Sequence, residues 1–386
     1  MQFLTKIRQA AQALATGRLT ISSDGIPYDF RNLPLRKVVN AILTETSVYF
    51  KPGSPWGHPT HLMIEPSTLC NLRCSLCPIT TGLDRPQGLM EMDLFKKILD
   101  DVGPWAFTLQ LWDWGEPFVN PRIFDMIAYA KAKGVKVISS SNGHLLAKPD
   151  MAERLVRSGI DTIIFAIDGV TQKTYEQYRQ EGQLETALEG IRKVVAAKKA
   201  LDSPTPTVNF RFIVMAQNEH EIPLVRALAP TLGVDVLTFK TLNPNAQDPY
   251  RDLSSAAENP GGAFIPQQVR YRRFKPGRQG EEQSDKVRRR RNPCKHLWNS
   301  PCFHWNGNVS PCTYDPRDRR VLGDAAKDTF GNIWSGENYR QTRQAFREDW
   351  NRLPGCSTCS YAYEGGSLNC ETMAEAVFYP SFGRRA

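Results

Sequence analysis

No apolar run in this 386-residue chain is long enough to span a bilayer. Residues 1–17 carry Lys6 and Arg8 but no continuous apolar segment, so no signal peptide is read there. Without a secretory address, the nine cysteines are not expected to form a disulfide framework. They point instead to metal ligation in a reducing, cytoplasmic setting. The basic stretches lack the interleaved aromatics that single-strand nucleic-acid binders use for stacking. What remains is an ordinary globular composition, 41% hydrophobic and 23% charged, in a chain long enough for one large domain and a smaller one.

The net charge is +9. Much of the excess falls in 267–291, with Arg270, Arg272, Arg273, Lys275, Arg278 and the run Arg288, Arg289, Arg290, Arg291. A solvated loop is one reading. A surface for an anionic substrate, nucleic acid or an anionic membrane is the other.

Residues 1–60 read as an N-terminal extension. Positions 3–14 and 35–43 have helical apolar spacing, and the Pro- and Gly-containing stretch 51–59 separates them from the first strand. The extension is expected to pack on the main domain; a basic amphipathic helix lying on a membrane is the second reading. From His61 onward strands and helices alternate. Strand-like runs occupy 61–65, 107–112, 136–140, 162–167, 208–214 and 234–239. Helical runs lie near 93–101, 121–133, 151–158, 172–199 and 219–228. The alternation implies βαβ units and a parallel α/β sheet. Six units are too few to close an eight-stranded barrel, and chemistry in such sheets sits at the carboxyl ends of the strands.

There, after the first strand, lies Cys70-Asn71-Leu72-Arg73-Cys74-Ser75-Leu76-Cys77. The spacing x3 then x2 can wrap three sulfurs around one face of an inorganic cluster. A structural zinc site or a closed iron–sulfur cluster wants four protein ligands. Three thiolates on a four-iron cube leave one iron open. Zinc with His58 or His61 as fourth ligand is the alternative. The C-x3-C-x2-C loop after a strand resembles the signature of the radical S-adenosylmethionine (SAM) superfamily. That resemblance implies a partial (β/α)6 TIM-like barrel and a [4Fe–4S] cluster on Cys70, Cys74 and Cys77, with SAM chelating the open iron.

The later strand ends extend the resemblance. Trp114-Gly115-Glu116-Pro117 is similar to the family's Gly-Gly-Glu-Pro, with Trp114 for the first glycine; it implies that Gly115 and Glu116 contact the SAM ammonium group. Ser141-Asn142-Gly143 resembles Thr-Asn-Gly and implies contacts from Ser141 and Asn142. Ala166-Ile167-Asp168-Gly169 resembles Ser-x-Asp-Gly without the hydroxyl. Arg179 resembles an arginine that pairs with the SAM carboxylate. Leu76 stands where an aromatic residue usually lies near adenine.

Residues 241–293, rich in Pro, Gly, Asn and Arg, read as a basic linker or substrate loop. Cys294, Cys302, Cys312, Cys356, Cys359 and Cys370 follow. Asn306-Gly307 reads as a hairpin turn that can bring Cys294 and Cys312 together, while Cys356-x2-Cys359 supplies two more thiolates. A four-cysteine zinc ribbon is one reading. With Gly331-Asn332-Ile333-Trp334 between, the set resembles the SPASM/twitch auxiliary-cluster domains behind many radical SAM barrels. This implies one auxiliary [4Fe–4S] cluster on Cys294, Cys312, Cys356 and Cys359, and leaves Cys302 and Cys370 without a role. The expected division is therefore 1–60 extension, 61–240 barrel, 241–293 linker and 294–386 auxiliary domain of hairpin plus helix. The resemblance implies an enzyme that cleaves SAM reductively to a 5′-deoxyadenosyl radical. That radical abstracts hydrogen from a substrate carbon, with electrons from a flavodoxin or ferredoxin. Peptide-modifying relatives often carry a leader-binding domain, and 1–60 show no three-stranded, three-helix pattern for one. A sugar, polyol or lipid-linked small molecule is thus favoured over a peptide. The non-enzyme alternative is a zinc- or cluster-stabilised nucleic-acid-binding protein.

Overall fold

Strand residues that alternate between two faces fix the architecture. The computed structural model describes residues 2–23, 25–243, 261–273, 290–362 and 373–384; Cys370, Lys275, Arg278, Arg288 and Arg289 lie outside them. β1 (Leu19–Ser23) and β2 (Ile26–Phe30) make an antiparallel hairpin. β3 (His61–Ile64), β4 (Thr108–Gln110), β5 (Lys136–Ser141), β6 (Thr162–Ala166), β7 (Thr207–Val214) and β8 (Val236–Thr241) follow the six expected runs. They lie side by side in chain order, each parallel to the next. This is the parallel sheet of a partial TIM-like barrel.

One face of these strands packs on the helices. Leu62, Leu109, Val137, Ile163, Phe165, Phe210, Phe212, Leu237 and Phe239 are all in that core. The helix Met92–Val102 shows the matching pattern. It buries Phe95, Ile98, Leu99 and Val102, a 3.6-residue stripe. The opposite face is closed near the strands' amino ends by the β1–β2 hairpin. Its Ile26, Tyr28 and Phe30 pack with Phe107, Ile138 and Ile164, and the Tyr28 hydroxyl lies 2.7 Å from Thr162 Oγ1. The extension therefore packs on the barrel as expected. The hairpin itself was not expected, because five-residue strands half-exposed to water carry little apolar signal.

The single helix expected over 172–199 is a second correction. It splits into Gln172–Glu176 and Leu184–Ala200. Thr171 caps the first piece, and Glu181 turns through φ 63°. The carbonyls of Tyr178 and Gln180 accept from the backbone N–H groups of Ser75 and Arg73. The helix is interrupted because these residues bond to the cysteine loop instead.

Beyond the barrel, β9 (Cys302–Phe303), β10 (Asn308–Ser310) and β11 (Gly323–Asp324) form the expected hairpin plus one strand. β9 pairs parallel with β3, Met63 opposite Cys302, so the auxiliary strands continue the barrel sheet. The helices Phe330–Ser335 and Glu337–Asp349 cover them. β12 (Met373–Phe378) returns to the far edge and pairs antiparallel with β8.

Helix and turn meet closely at Gly190, where an added Cβ would stand 2.3 Å from the Gly143 carbonyl oxygen. At Gly331, also helical, nothing lies within 4 Å of that position. Alanine is favoured over glycine in helices by about 1 kcal/mol. Gly331→Ala should therefore be neutral or stabilising in guanidinium unfolding, whereas Gly190→Ala should lower the midpoint.

Candidate active site

The cysteine loop leaves the carboxyl end of β3 and is held from below by the interrupted helix. Within it, Cys77 N–H donates to the Cys74 carbonyl at 3.0 Å, and Leu72 N–H points at Cys70 Sγ from 3.4 Å. Burial pushes the Cys70 thiol up to about 11, with Glu116 adding to the rise. Burial pushes Cys77 up to about 12, and Cys74 adds. Three thiolates cannot coexist here without positive charge. Iron supplies that charge, so the donor set fits a cluster. Neither histidine suits the zinc alternative. His61 begins β3, with its Nδ1 at 2.9 Å from Thr60 Oγ1, and the strand's length separates it from the loop. His58 stacks on Trp105 at 4.6 Å.

The other strand ends converge on this loop. Glu116 is 2% exposed, not a turn residue in solvent. Its carboxylate accepts from Asn142 N–H at 2.8 Å and Phe118 N–H at 3.4 Å, and burial still raises its pKa to about 7. The site is thus short of positive charge. Gly115 has φ 94°, and a Cβ there would stand 2.4 Å from the Ser67 carbonyl oxygen. Its glycine serves the approach of one backbone to another just before the cysteine loop. Ser141 Oγ accepts from Gly143 N–H at 3.0 Å. Asn142 Nδ2 donates to Asn71 Oδ1 at 2.9 Å and lies 4.0 Å from Cys70 Sγ. Leu76 is buried with Met215 and Leu242.

Arg179 is largely shielded rather than solvated, its side chain 13% exposed. Its Nε and Nη2 lie 2.7 and 2.6 Å from Asp168 Oδ2, and Nη1 points at Cys74 Sγ from 3.7 Å. Asp168 is the residue that the site reading left out. Its second oxygen accepts from Ile213 N–H at 2.7 Å. The Ala-Ile-Asp-Gly motif carried the signal; its role as the anchor of Arg179 needed the fold. Two basic residues that the sequence reading passed over, Arg211 and Lys240, are buried on the same sheet. Period-two alternation with the helix-facing Phe210, Phe212 and Phe239 puts both on the inner face of β7 and β8. Arg211 pairs in register with Thr238, and Lys240 with Ile213.

The second cysteine group also assembles. Cys294, Cys312, Cys356 and Cys359 line one cavity, together with Leu297, Phe346, Leu353 and Tyr361. Cys302 is not on its wall; its Sγ lies 3.3 Å from Asp113 Oδ2. Burial pushes the Cys294 thiol up to about 11 and Cys356 higher still. Four soft donors around one hollow fit a closed iron–sulfur cluster.

Residues 64–228 match the radical SAM superfamily model, and residues 294–360 match SPASM, an iron-sulfur cluster-binding domain. A tungsten-containing aldehyde ferredoxin oxidoreductase cofactor-modifying protein of Pyrococcus furiosus is 26% identical over 332 residues, 78% of this chain and 87% of its own. An AdoMet-dependent heme synthase of Methanosarcina barkeri is 26% identical over 315 residues, 76% of this chain and 86% of its own. Among solved structures, Streptococcus suis SuiB bound to precursor peptide SuiA shares the fold with a TM-score of 0.58 at 14% identity. The match covers 93% of this chain and 83% of SuiB. Native anSMEcpe with bound AdoMet gives 0.51 at 14% identity, over 79% of this chain and 91% of that one. With these matches the nucleic-acid-binding alternative falls. The chain belongs to the radical SAM superfamily, as an enzyme with a SAM-binding [4Fe–4S] cluster and a C-terminal SPASM iron–sulfur domain.

Proposed function

We propose that this enzyme removes a hydrogen atom from a carbon of an anionic, non-peptide small molecule, a sugar, polyol or lipid-linked compound, and carries it to an oxidised or rearranged product. The observation that carries this reading is the three-thiolate loop at one end of a sheet whose inner face bears Arg211 and Lys240. Bound at Cys70, Cys74 and Cys77, the reduced cluster and SAM supply a 5′-deoxyadenosyl radical. An auxiliary cluster held by Cys294, Cys312, Cys356 and Cys359 would supply an acceptor for the electron that an oxidised product gives up. A flavodoxin or ferredoxin is the proposed reductant of the first cluster.

The chain's own residues bind and orient. Glu116 receives the SAM ammonium group, whose charge relieves its burial. Asp168 holds Arg179 so that its remaining N–H groups meet the SAM carboxylate beside Cys74. Ser141 and Asn142 fix the loop that bonds Glu116. Leu76 gives apolar contact without stacking. Cys294, Cys312, Cys356 and Cys359 hold the auxiliary cluster. The N-terminal helix–hairpin–helix block, used to close the barrel, supports a non-peptide substrate over a peptide one.

The place of work is proposed to be the cytoplasmic face of an anionic membrane. No helix among the described residues is long and apolar enough to cross one. The helix Leu35–Phe50, however, turns much of its apolar surface outward, although Val38 is buried. It buries Asn40, Thr44 and Ser47, which hydrogen-bond the backbone at 56–58. It exposes Leu35, Val39, Leu43, Tyr49 and Phe50, and Trp56 packs on Phe50, these six being 38–65% exposed. Arg291 stacks on Tyr49 at 5.0 Å, at the end of the Arg288–Arg291 run. Apolar and aromatic side chains rimmed by arginine match the interfacial layer of an anionic bilayer.

Protein reconstituted anaerobically should release 5′-deoxyadenosine with dithionite and SAM, and the Cys70/Cys74/Cys77→Ala variant should release none. Glu116→Gln should weaken SAM binding by about 1.5–3 kcal/mol, roughly tenfold to 150-fold by calorimetry, if it makes a charge-assisted hydrogen bond. An untargeted metabolite comparison of a deletion strain with its parent should show an anionic small molecule accumulating; an unmodified peptide in its place would establish the maturase reading. The wild type should co-sediment with phosphatidylglycerol vesicles but not phosphatidylcholine vesicles. Replacing Tyr49, Phe50 and Trp56 by Ala should cut that binding at least tenfold, with SAM cleavage unchanged.

A further inference from the structure

Asp113, Cys302 and His304 belong to neither cysteine group, yet their ligand atoms converge within 4.8 Å of one another. Asp113 follows β4, just before the Gly115-Glu116 turn; Cys302 lies on β9 and His304 just after it. Cys302 Sγ is 3.3 Å from Asp113 Oδ2, and His304 Nε2 is 3.9 Å from the same oxygen. Ser310 Oγ, opposite Cys302 in the hairpin, is 3.4 Å from His304 Nε2. A tetrahedral ion with bonds of about 2.0 Å to N or O and about 2.3 Å to S has ligand–ligand edges of roughly 3.3–3.6 Å. The separations already present are close to those edges.

The surroundings orient each ligand. His304 Nδ1 is bonded to Asp318, whose other oxygen accepts from Asn308 Nδ2 at 2.7 Å, so Nε2 is the nitrogen turned to the cluster. Thr313 Oγ1 donates to the far oxygen of Asp113. A carboxylate behind a ligating imidazole and a hydroxyl behind a ligating carboxylate are the supports that metal ligands carry. The group is dry, with Cys302 1% and His304 0% exposed. It also gathers Asp113, Asp318 and Glu65 around one guanidinium, Arg85, which pairs with Glu65 at 2.7 and 3.0 Å. A divalent cation would balance that excess of carboxylate.

We propose that Asp113, Cys302 and His304 form a mononuclear zinc-type site, completed by Ser310 or a water, that fastens the SAM-binding loop of the barrel to the auxiliary hairpin. Thiolate, imidazole and carboxylate together suit zinc rather than magnesium or calcium. Zinc here would tie Asp113, three residues before Glu116, to the strand that leads to Cys312. The ion would then hold the spacing between the two iron–sulfur centres.

The test uses protein with both clusters reconstituted, given zinc and passed over a weak chelating resin. It should keep about one zinc per chain, with one sulfur at about 2.3 Å and N/O donors at about 2.0 Å in the zinc-edge X-ray absorption spectrum. In Cys302→Ser the sulfur shell should vanish and zinc retention fall at least tenfold, with iron content unchanged. His304→Gln should lose zinc while its two clusters remain. Zinc ligated by four sulfurs would place it in the auxiliary cysteine group and overturn the proposal. So would wild-type protein that keeps no zinc, a result that does not depend on how the variants fold.

Discussion

Negative charge gathered out of water must be met by positive charge, and this requirement organises the carboxyl end of the barrel. Three thiols, one buried and two half-buried, lie close to the buried Glu116 and Asp168. Arg179 is the protein's own answer: it spans Asp168 and Cys74, and although burial works against its charge, those two neighbours raise its pKa well above the usual arginine value. One guanidinium cannot balance them all. Iron and the SAM cation complete the account. The interrupted helix follows from the same need, because the residues around Arg179 leave the helix to bond the cysteine loop.

A second feature is that barrel and auxiliary region share one sheet. β9 lies beside β3 as a parallel neighbour, so the strand preceding the cysteine loop is hydrogen-bonded to the strand that opens the auxiliary hairpin. Trp114, which replaces a glycine in the resembling motif, donates from its indole N–H to the Thr313 carbonyl at 3.3 Å. The substitution puts an anchor between the SAM loop and the residue after Cys312. The two cysteine groups thereby stand on a common frame, an arrangement suited to passing charge between a reacting substrate and a fixed acceptor.

The N-terminal extension joins the two ends of the molecule. Its hairpin closes the amino end of the barrel, while Lys51, at the end of the helix Leu35–Phe50, reaches the Cys294 carbonyl and lies over Trp298 at 4.5 Å. Polar residues on the buried side of that helix are satisfied by the backbone at 56–58, and Gly57 admits the contact: a Cβ there would stand 2.5 Å from Thr44 Oγ1. Leu35, Val39, Leu43, Tyr49 and Phe50 are left facing outward.

The sequence alone determined the six strands, their parallel order and the cysteine loop, because apolar alternation and ligand spacing are local properties. It also singled out Cys294, Cys312, Cys356 and Cys359, the four that line one cavity, through a turn, a C-x2-C pair and a family resemblance. It could not show that Arg179 is shielded against Asp168, that the run 172–199 is broken, or that the helix Leu35–Phe50 turns much of its apolar surface outward. Each depends on partners distant in the chain: the loop at 73–75, the backbone at 56–58, the carboxylate at 168. Cys302 is the plainest case. By spacing it is a spare cysteine; only the parallel pairing of β9 with β3 carries it to Asp113, 189 residues away.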